Sequence, residues 1–311
     1  MSELMKSPLI IDIKGNSLDD GPGIRSTIFF KGCPLNCVWC HNPESKKVTP
    51  ELFWDSERCV GCGTCINLCP ENAISLDNPF HVDRDRCTLC FKCLEQCPGQ
   101  ALTRVGREMT VDEIVNKIVP YKSFFDTSGG GVTLSGGEPT INMRFASAVL
   151  KKLKSEGIHT LVETCGWFDM EHFRNLMLPY VDVIYMDVKL IDPTEHKKYC
   201  GKSNERILSN LLHLYEEAGA GSFELLPRVP LIPEITDKEV QIQGLAEFFS
   251  KHHISSVALL PNNPIWIDKC SKLGQEIPFD RSKPIGSFYD QTRKDKVREQ
   301  FSRYGITVIL G

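Results

Sequence analysis

The sequence predicts a parallel α/β fold interrupted by a cysteine-rich insert, and three observations carry that prediction. Short apolar runs alternate with helical segments from about residue 106 to the C-terminus. One cysteine pattern occurs twice between residues 50 and 105. Polar or Gly-rich groups follow six successive apolar runs. Strand then helix, repeated, marks a parallel sheet, because a parallel strand needs a long crossover to bring the chain back to the same end. At 311 residues the chain can bury a substantial core, as one large domain or as a domain carrying an insert.

In chain order, residues 9–13, LIIDI, read as an opening strand, and 19–23, DDGPG, as turn chemistry. Residues 26–31, STIFFK, form a β-rich run that leads directly into 32–45, GCPLNCVWCHNPES. After the insert, runs at 132–134, 158–162, 183–186, 223–226, 256–260 and 306–310 read as buried parallel strands. Helical segments at 111–119, 145–155, 205–217 and 238–251 separate them. In a parallel barrel, functional loops gather at the C-terminal ends of the strands. Those ends carry the three cysteines of 32–45, then SGGEP at 135–139, Glu163 with Thr164, Asp187 with Lys189, Arg228, and Pro261 to Asn263. Such a series is what a single cleft on one face requires.

The totals exclude several classes. A formal net charge of −4 with Lys and Arg scattered leaves no basic stripe, so nucleic acid is not indicated as a partner. No apolar run reaches membrane-spanning length, and Glu3 and Asp12 interrupt any signal-like core, so the chain reads as cytoplasmic with no membrane partner. Eleven of the fourteen cysteines fall between Cys33 and Cys97, which points to metal in a reducing compartment rather than to a disulfide scaffold.

Cys33, Cys37 and Cys40 are spaced CxxxCxxC, and no fourth cysteine follows nearby. Three thiolates at this spacing can hold three irons of a four-iron cluster and leave one iron open to an outside ligand. The alternative is a zinc or disulfide knuckle, but zinc takes four ligands, and His41 directly after Cys40 is poorly placed to be the fourth. The insert reads CVGCGTCINLCPENAI from Cys59 and CTLCFKCLEQCPGQAL from Cys87, a duplicated CxxCxxCxxxCP. In such two-cluster runs the fourth cysteine of one repeat ligates the other cluster. Cys59, Cys62 and Cys65 therefore pair with Cys97, and Cys87, Cys90 and Cys93 with Cys69. This segment, 50–105, resembles bacterial two-cluster ferredoxins and divides the remaining domain into 1–49 and 106–311.

An open iron suits a ligand entering by two groups, as an amino acid's ammonium and carboxylate would. Gly136 and Gly137, lacking Cβ, allow close backbone approach. Glu138 suits an ammonium, and Lys189 or Arg228 a carboxylate.

The CxxxCxxC loop with Trp39 before its last cysteine, together with GGEP, resembles the radical S-adenosylmethionine superfamily. More closely, DGPGIR at 20–25, the run GCPLNCVWCHNPES, the duplicated insert and GGGVTLSGGEP at 129–139 resemble the glycyl radical enzyme activating enzymes, over nearly the whole chain. The resemblance implies a partial (β/α)6 TIM-type barrel with an inserted ferredoxin-like domain. It implies three 4Fe-4S clusters, one binding S-adenosyl-L-methionine and two auxiliary; a cluster with an exposed iron is chemically vulnerable, so oxygen sensitivity is expected. It implies an oxidoreductase that cleaves S-adenosylmethionine to methionine and a 5′-deoxyadenosyl radical, which takes hydrogen from a backbone glycine of a partner glycyl radical enzyme. Reduced ferredoxin or flavodoxin is the donor expected with it.

Residue by residue, the resemblance places methionine contacts on Gly136, Gly137 and Glu138. It places a cation-associated pair on Glu163 and Thr164, the family's Asp-x-Lys on Asp187 and Lys189, and its downstream arginine on Arg228. Asp20 falls where relatives meet the partner's glycine loop. Asn263 stands where several relatives carry a cofactor-contacting histidine, and an amide can donate a hydrogen bond but cannot titrate. Trp39 has two readings, packing near adenine or covering the cluster from solvent. The insert likewise reads as an electron relay or as a structural element. Cys165, Cys200 and Cys270 read as buried thiols, with Cys165 bordering the cleft; His81, His159, His196, His213, His252 and His253 read as surface or core residues. Two rival functions stand beside the leading one. The first is another radical enzyme with auxiliary clusters, acting on a peptide or small molecule; the complete four-cysteine sets of the insert count against it. The second is a multi-cluster electron carrier, against which the open three-cysteine site argues.

Overall fold

The computed structural model describes residues 7–310, so Glu3 lies outside the described residues. The main sheet has nine strands in the order β11-β10-β9-β8-β7-β6-β2-β1-β5. These are β1 (Leu9–Ser17), β2 (Arg25–Phe30), β5 (Arg107–Glu108), β6 (Gly131–Gly136), β7 (Thr160–Thr164), β8 (Val183–Asp187), β9 (Glu224–Leu231), β10 (Ser256–Pro261) and β11 (Thr307–Leu310). From β2 through β6 to β11 all neighbours are parallel and follow sequence order, while β1 runs antiparallel to β2 and β5. An unreversed order belongs to barrel-type winding rather than to a doubly wound sheet. The sheet does not close, since β11 and β5 are its two edges.

The α-helices after the cysteine-rich segment are α3 (Val111–Ile118), α4 (Lys122–Ser128), α5 (Met143–Ser155), α6 (Met170–Leu176), α7 (Pro193–Cys200), α8 (Glu205–Ala218), α9 (Glu239–Lys251), α10 (Trp266–Lys272) and α11 (Gln291–Arg303). On α5 the buried residues are Phe145, Ala146, Val149, Leu150 and Leu153, one stripe at helical spacing. Each of the larger ones, Phe145, Val149, Leu150 and Leu153, contributes roughly 1.5–3 kcal/mol of burial. Thr110 and Glu113 form a capping box that starts α3. The central strands are buried on both faces, with Val132, Leu134, Leu161, Val162 and Ile184 fully enclosed, which accounts for apolar runs without alternation.

Expected strand and helix boundaries hold to within a few residues, with one instructive exception. β9 continues past 226 to Leu231 through Pro227 and Pro230. Prolines remove ladder donors, but the carbonyls still accept, Val188 N donating to Arg228 O at 2.8 Å. Arg228 therefore belongs to the strand rather than to a loop beyond it.

Within the cysteine-rich segment, β3 (Glu51–Trp54) and β4 (Leu102–Val105) pair antiparallel, Glu51 opposite Val105, so its two ends lie side by side. Between them sit the short helices α1 (Thr64–Leu68) and α2 (Lys92–Glu95), one per repeat. Leu52, Ile74, Val82, Cys93 and Leu102 form a small core separate from the main one. Lys31, at the end of β2, is buried and bonds Glu51 Oε2 at 2.6 Å, tying the segment to the sheet. Among the described residues no helix is long and apolar enough to cross a membrane.

Candidate functional site

A cleft of about 1730 Å³ opens at the C-terminal ends of the parallel strands. It is lined by Cys33, Cys37, Trp39 and Cys40 after β2, Ser135, Gly136 and Gly137 at β6, Glu163 and Thr164 at β7, Asp187 and Lys189 at β8, and Arg228 in β9. Asp20, Cys165 and Asn263 also reach it. Residues spread over more than 240 positions meet here because consecutive parallel strands all point the same way.

The three-cysteine loop is held by backbone. Cys33 N donates to Lys46 O at 3.1 Å, Asn36 N to Cys200 O at 2.8 Å, and Val38 N to Tyr199 O at 3.0 Å, so the end of α7 supports the loop. Lys269 of α10 clasps its far side, donating to His41 O, Asn42 Oδ1 and Glu44 Oε1 at 3.0, 2.8 and 2.8 Å. Contact with the Cys200 thiol, together with Lys189, pulls the Cys37 thiol below its ordinary value against its burial. Burial pushes the Cys40 thiol up to about 12. Trp39 is buried, its ring 6.2 Å from that of Tyr199.

The two glycines at the end of β6, Gly136 and Gly137, have a steric reason of their own. A Cβ on Gly137 would lie 2.1 Å from Gly32 O, and one on Gly136 would lie 2.4 Å from Phe30 N. The turn is pressed against the cysteine loop, and Gly137 N and Glu138 N donate to Phe30 O and Gly32 O, both at 2.8 Å.

Glu138 departs from the expected placement. It is fully buried and does not line the cleft. Its Oε1 accepts from Thr140 N, Thr140 Oγ1 and Thr164 Oγ1 at 3.1, 2.8 and 2.9 Å, and its Oε2 from Cys165 N at 2.7 Å. With these four donors the carboxylate ties the β6 turn to the end of β7.

Charged groups on the cleft floor satisfy one another. Arg228 Nη1 donates to Glu163 Oε1 at 2.5 Å and Nε to Asp187 Oδ1 at 3.0 Å; Lys189 Nζ donates to Asp187 Oδ2 at 2.9 Å. Ser135 Oγ donates to Glu163 Oε2 at 2.5 Å. Two carboxylates and two cations leave the floor formally neutral. Burial opposes ionisation of Asp187, yet Lys189 and Arg228 hold its carboxyl below the usual range.

At the rim, Asp20 Oδ2 accepts from Thr27 Oγ1 at 2.7 Å and from Ser17 Oγ. Arg25, entirely buried, holds the DGPGIR turn by donating to Thr133 Oγ1 at 2.7 Å, Val132 O at 2.8 Å and Pro22 O at 3.2 Å. Asn263 is exposed and its Oδ1 accepts from Ile265 N at 3.1 Å, at the start of α10. Its neighbour Asn262, which sequence reasoning missed, is only 2% exposed. Asn262 Nδ2 holds Ile285 O and Ser287 O at 3.0 and 2.8 Å, and among the described residues its Oδ1 has no partner. No local pattern marks it, because its partners lie more than twenty residues away. Cys165, Cys200 and Cys270 are buried as expected.

In the cysteine-rich segment, one cavity of about 380 Å³ is lined by Cys59, Cys62, Cys65 and Cys97, and another of about 370 Å³ by Cys69, Cys87, Cys90 and Cys93. Each draws its cysteines from both repeats. Among the described residues no three His, Cys, Asp or Glu side chains are close enough to hold a single metal ion. A lone zinc needs its ligands about 2.0–2.3 Å from one centre, whereas a four-iron cluster takes its thiolates from around a larger body. His81, read as an ordinary surface or core residue, lies in the first of these cavities with Nε2 3.3 Å from Cys65 Sγ.

The model of the radical SAM superfamily matches residues 27–243. The trans-4-hydroxy-L-proline dehydratase activating enzyme of Clostridioides difficile is 44% identical, over 86% of this chain and 88% of that protein. The benzylsuccinate synthase activating enzyme of Thauera aromatica is 38% identical, over 99% of this chain and 93% of that protein. A solved radical SAM methyltransferase from Sphaerobacter thermophilus shares the fold, with a TM-score of 0.55 at 14% identity over 100% of this chain and 79% of that one. With the three-cysteine loop opening into a cleft at the strand ends, these likenesses show that the chain belongs to the radical SAM superfamily, among its glycyl radical enzyme activating enzymes.

Proposed function

We propose that this chain activates a partner glycyl radical enzyme: it cleaves S-adenosylmethionine reductively to methionine and a 5′-deoxyadenosyl radical, which takes a hydrogen atom from a backbone glycine of the partner. The observation that carries the reading is the convergence of Cys33, Cys37 and Cys40 with the Gly136–Gly137 turn and the neutral Glu163, Asp187, Lys189 and Arg228 floor in one cleft. Membership of the family implies a 4Fe-4S cluster and S-adenosylmethionine. Three thiols and no fourth cysteine in the loop suit a cluster with one free iron, and the cluster supplies the electron for sulfonium cleavage.

The chain's own residues bind and orient. The Gly136–Gly137 backbone approaches the methionine moiety, and Glu138 fixes that turn from beneath. Thr164 and Glu163 border the same ligand, with Lys189 and Arg228 meeting its carboxylate while Asp187 balances their charge. Trp39 and Asn263 border the cofactor, and Asp20, anchored by Thr27, meets the partner's glycine loop. The 50–105 segment is an inserted ferredoxin-like domain within a barrel domain of 1–49 and 106–311. Its cysteines hold two auxiliary 4Fe-4S clusters that accept electrons from reduced ferredoxin or flavodoxin. Support comes from two cavities each lined by four cysteines drawn from both repeats, and from a hydrogen bond of 3.3 Å from Ala73 N to Cys69 Sγ and another from Ala101 N to Cys97 Sγ.

The test is anaerobic. Reconstituted and reduced native protein is expected to form 5′-deoxyadenosine from S-adenosylmethionine, and Cys37→Ala is not. Equal product from both, or none from fully loaded native protein, would sink the reading.

A further inference from the structure

The two cysteine repeats are duplicates in sequence, and part of their surroundings is duplicated too. Four residues after the last cysteine of each repeat, a backbone N–H donates to that cysteine's sulfur, Ala73 to Cys69 and Ala101 to Cys97, both at 3.3 Å. The symmetry fails at two places in the first site, at Thr64, whose hydroxyl lies 3.4 Å from Cys62 Sγ where the second repeat has Lys92, and at His81. Its Nε2 lies 3.3 Å from Sγ of Cys65, the third cysteine of the first repeat. Among the described residues no imidazole lines the second cavity, whose walls include Leu52, Ile74, Leu89 and Phe91.

His81 is held in place by several independent contacts. It is 2% exposed, and its ring stacks on Trp54 with centroids 4.7 Å apart and planes 19° from parallel. Its φ of +63° lies in the left-handed region, uncommon outside glycine and a cost the surrounding structure must offset. His81 N donates to Asn78 O at 2.7 Å, Ser75 N donates to His81 O at 3.0 Å, and Ile74 bridges Val82 beside it. A buried, stacked ring carried by a left-handed backbone and aimed at one sulfur is more than core filling requires.

We infer that His81 is a positioning residue for redox poise: its ring N–H donates to the Cys65 thiolate and holds the Cys59, Cys62, Cys65 and Cys97 site at a higher reduction potential than its twin. This rests on the reading that both cysteine sets hold four-iron clusters. A ligating thiolate only accepts hydrogen bonds, so the ring supplies the proton of the contact. One electron added to a cluster makes its sulfurs more negative, and a donor stabilises that state more than the oxidised one. The ring keeps its proton throughout, and only the electron moves. The first electron entering the insert therefore resides on the His81 side.

The test is a mediated potentiometric titration, followed by electron paramagnetic resonance, of the reconstituted full chain, with dithionite as reductant. Native protein is expected to show two auxiliary midpoints. His81→Leu is expected to weaken reduction at the higher one about tenfold, a fall of about 59 mV for one electron. The lower midpoint stays in place, and His81→Gln, whose amide can still donate, recovers part of the fall. Unchanged midpoints in His81→Leu would overturn the inference. So would loss of one cluster's iron in both variants, which would make His81 a residue of assembly. Native protein that takes up the iron of a single cluster would instead remove the two-cluster reading, and this inference with it.

Discussion

Arg228→Ala tests the electrostatic floor of the cleft. The Arg228 side chain is 10% exposed, Glu163 12% and Asp187 20%, so the substitution leaves two poorly solvated carboxylates facing a void. Asp187 keeps Lys189 at 2.9 Å, and Glu163 keeps only the hydroxyl of Ser135. Removing one partner of a buried pair costs about 3–5 kcal/mol. With Lys189 still covering Asp187, the loss should fall near the lower end, about 3 kcal/mol. For a urea slope near 3 kcal/mol/M that is a shift of about 1 M in the unfolding midpoint. The assay is anaerobic urea unfolding of native and variant protein loaded alike, followed by tryptophan fluorescence. Adding Glu163→Gln should return part of the loss, because the orphaned charge disappears, and this non-additivity is the mark of coupling. A midpoint within about 0.3 M of native, or strict additivity of the two substitutions, would refute the picture of a buried neutral network.

Two further outcomes follow from the same geometry. Gly137→Ala places a methyl 2.1 Å from Gly32 O and 2.8 Å from Ser45 O, so the turn must move off the cysteine loop; about 2 kcal/mol or more of stability should be lost along with iron uptake, measured by unfolding and iron assay, and a variant native in both would contradict the steric argument. For Asp182, burial opposes ionisation, but Lys154 and the Thr160 N–H more than offset it, and the carboxyl sits below its usual value. A depressed carboxyl stabilises the fold above the unfolded pKa of about 3.9 and loses that contribution as pH falls through the folded value. The advantage of native protein over Asp182→Asn, about 1 kcal/mol at neutral pH, should therefore be flat from about pH 6 to 8 and shrink below about pH 4; an advantage that grows on acidification in urea-midpoint measurements would reverse the sign of the argument.

Much of this protein is written locally and could be read without a structure. The CxxxCxxC loop, the doubled CxxCxxCxxxCP and the apolar runs that end in polar groups each depend on spacing over a few residues, and spacing anticipated which cysteines line one cavity and which strands lie buried. The convergence of Cys33, Gly136, Glu163, Asp187 and Arg228 in one cleft was also legible, because parallel strands all deliver their C-terminal ends to one face. What tertiary structure alone decided is the direction and partner of each side chain. Glu138 lies next to two glycines in sequence, yet it turns beneath the cleft because Thr164 and Cys165 of the neighbouring strand end offer it donors. Arg228 meets Glu163 and Asp187 across 65 and 41 residues. Asn262 is buried against a loop that returns from 285–287, and His81 reaches Cys65 through a turn that no periodicity announces. The physical reason is common to all four: periodicity and spacing encode the backbone's local course, whereas a buried polar group points to whichever donor or acceptor the packing of distant segments brings within about 3 Å.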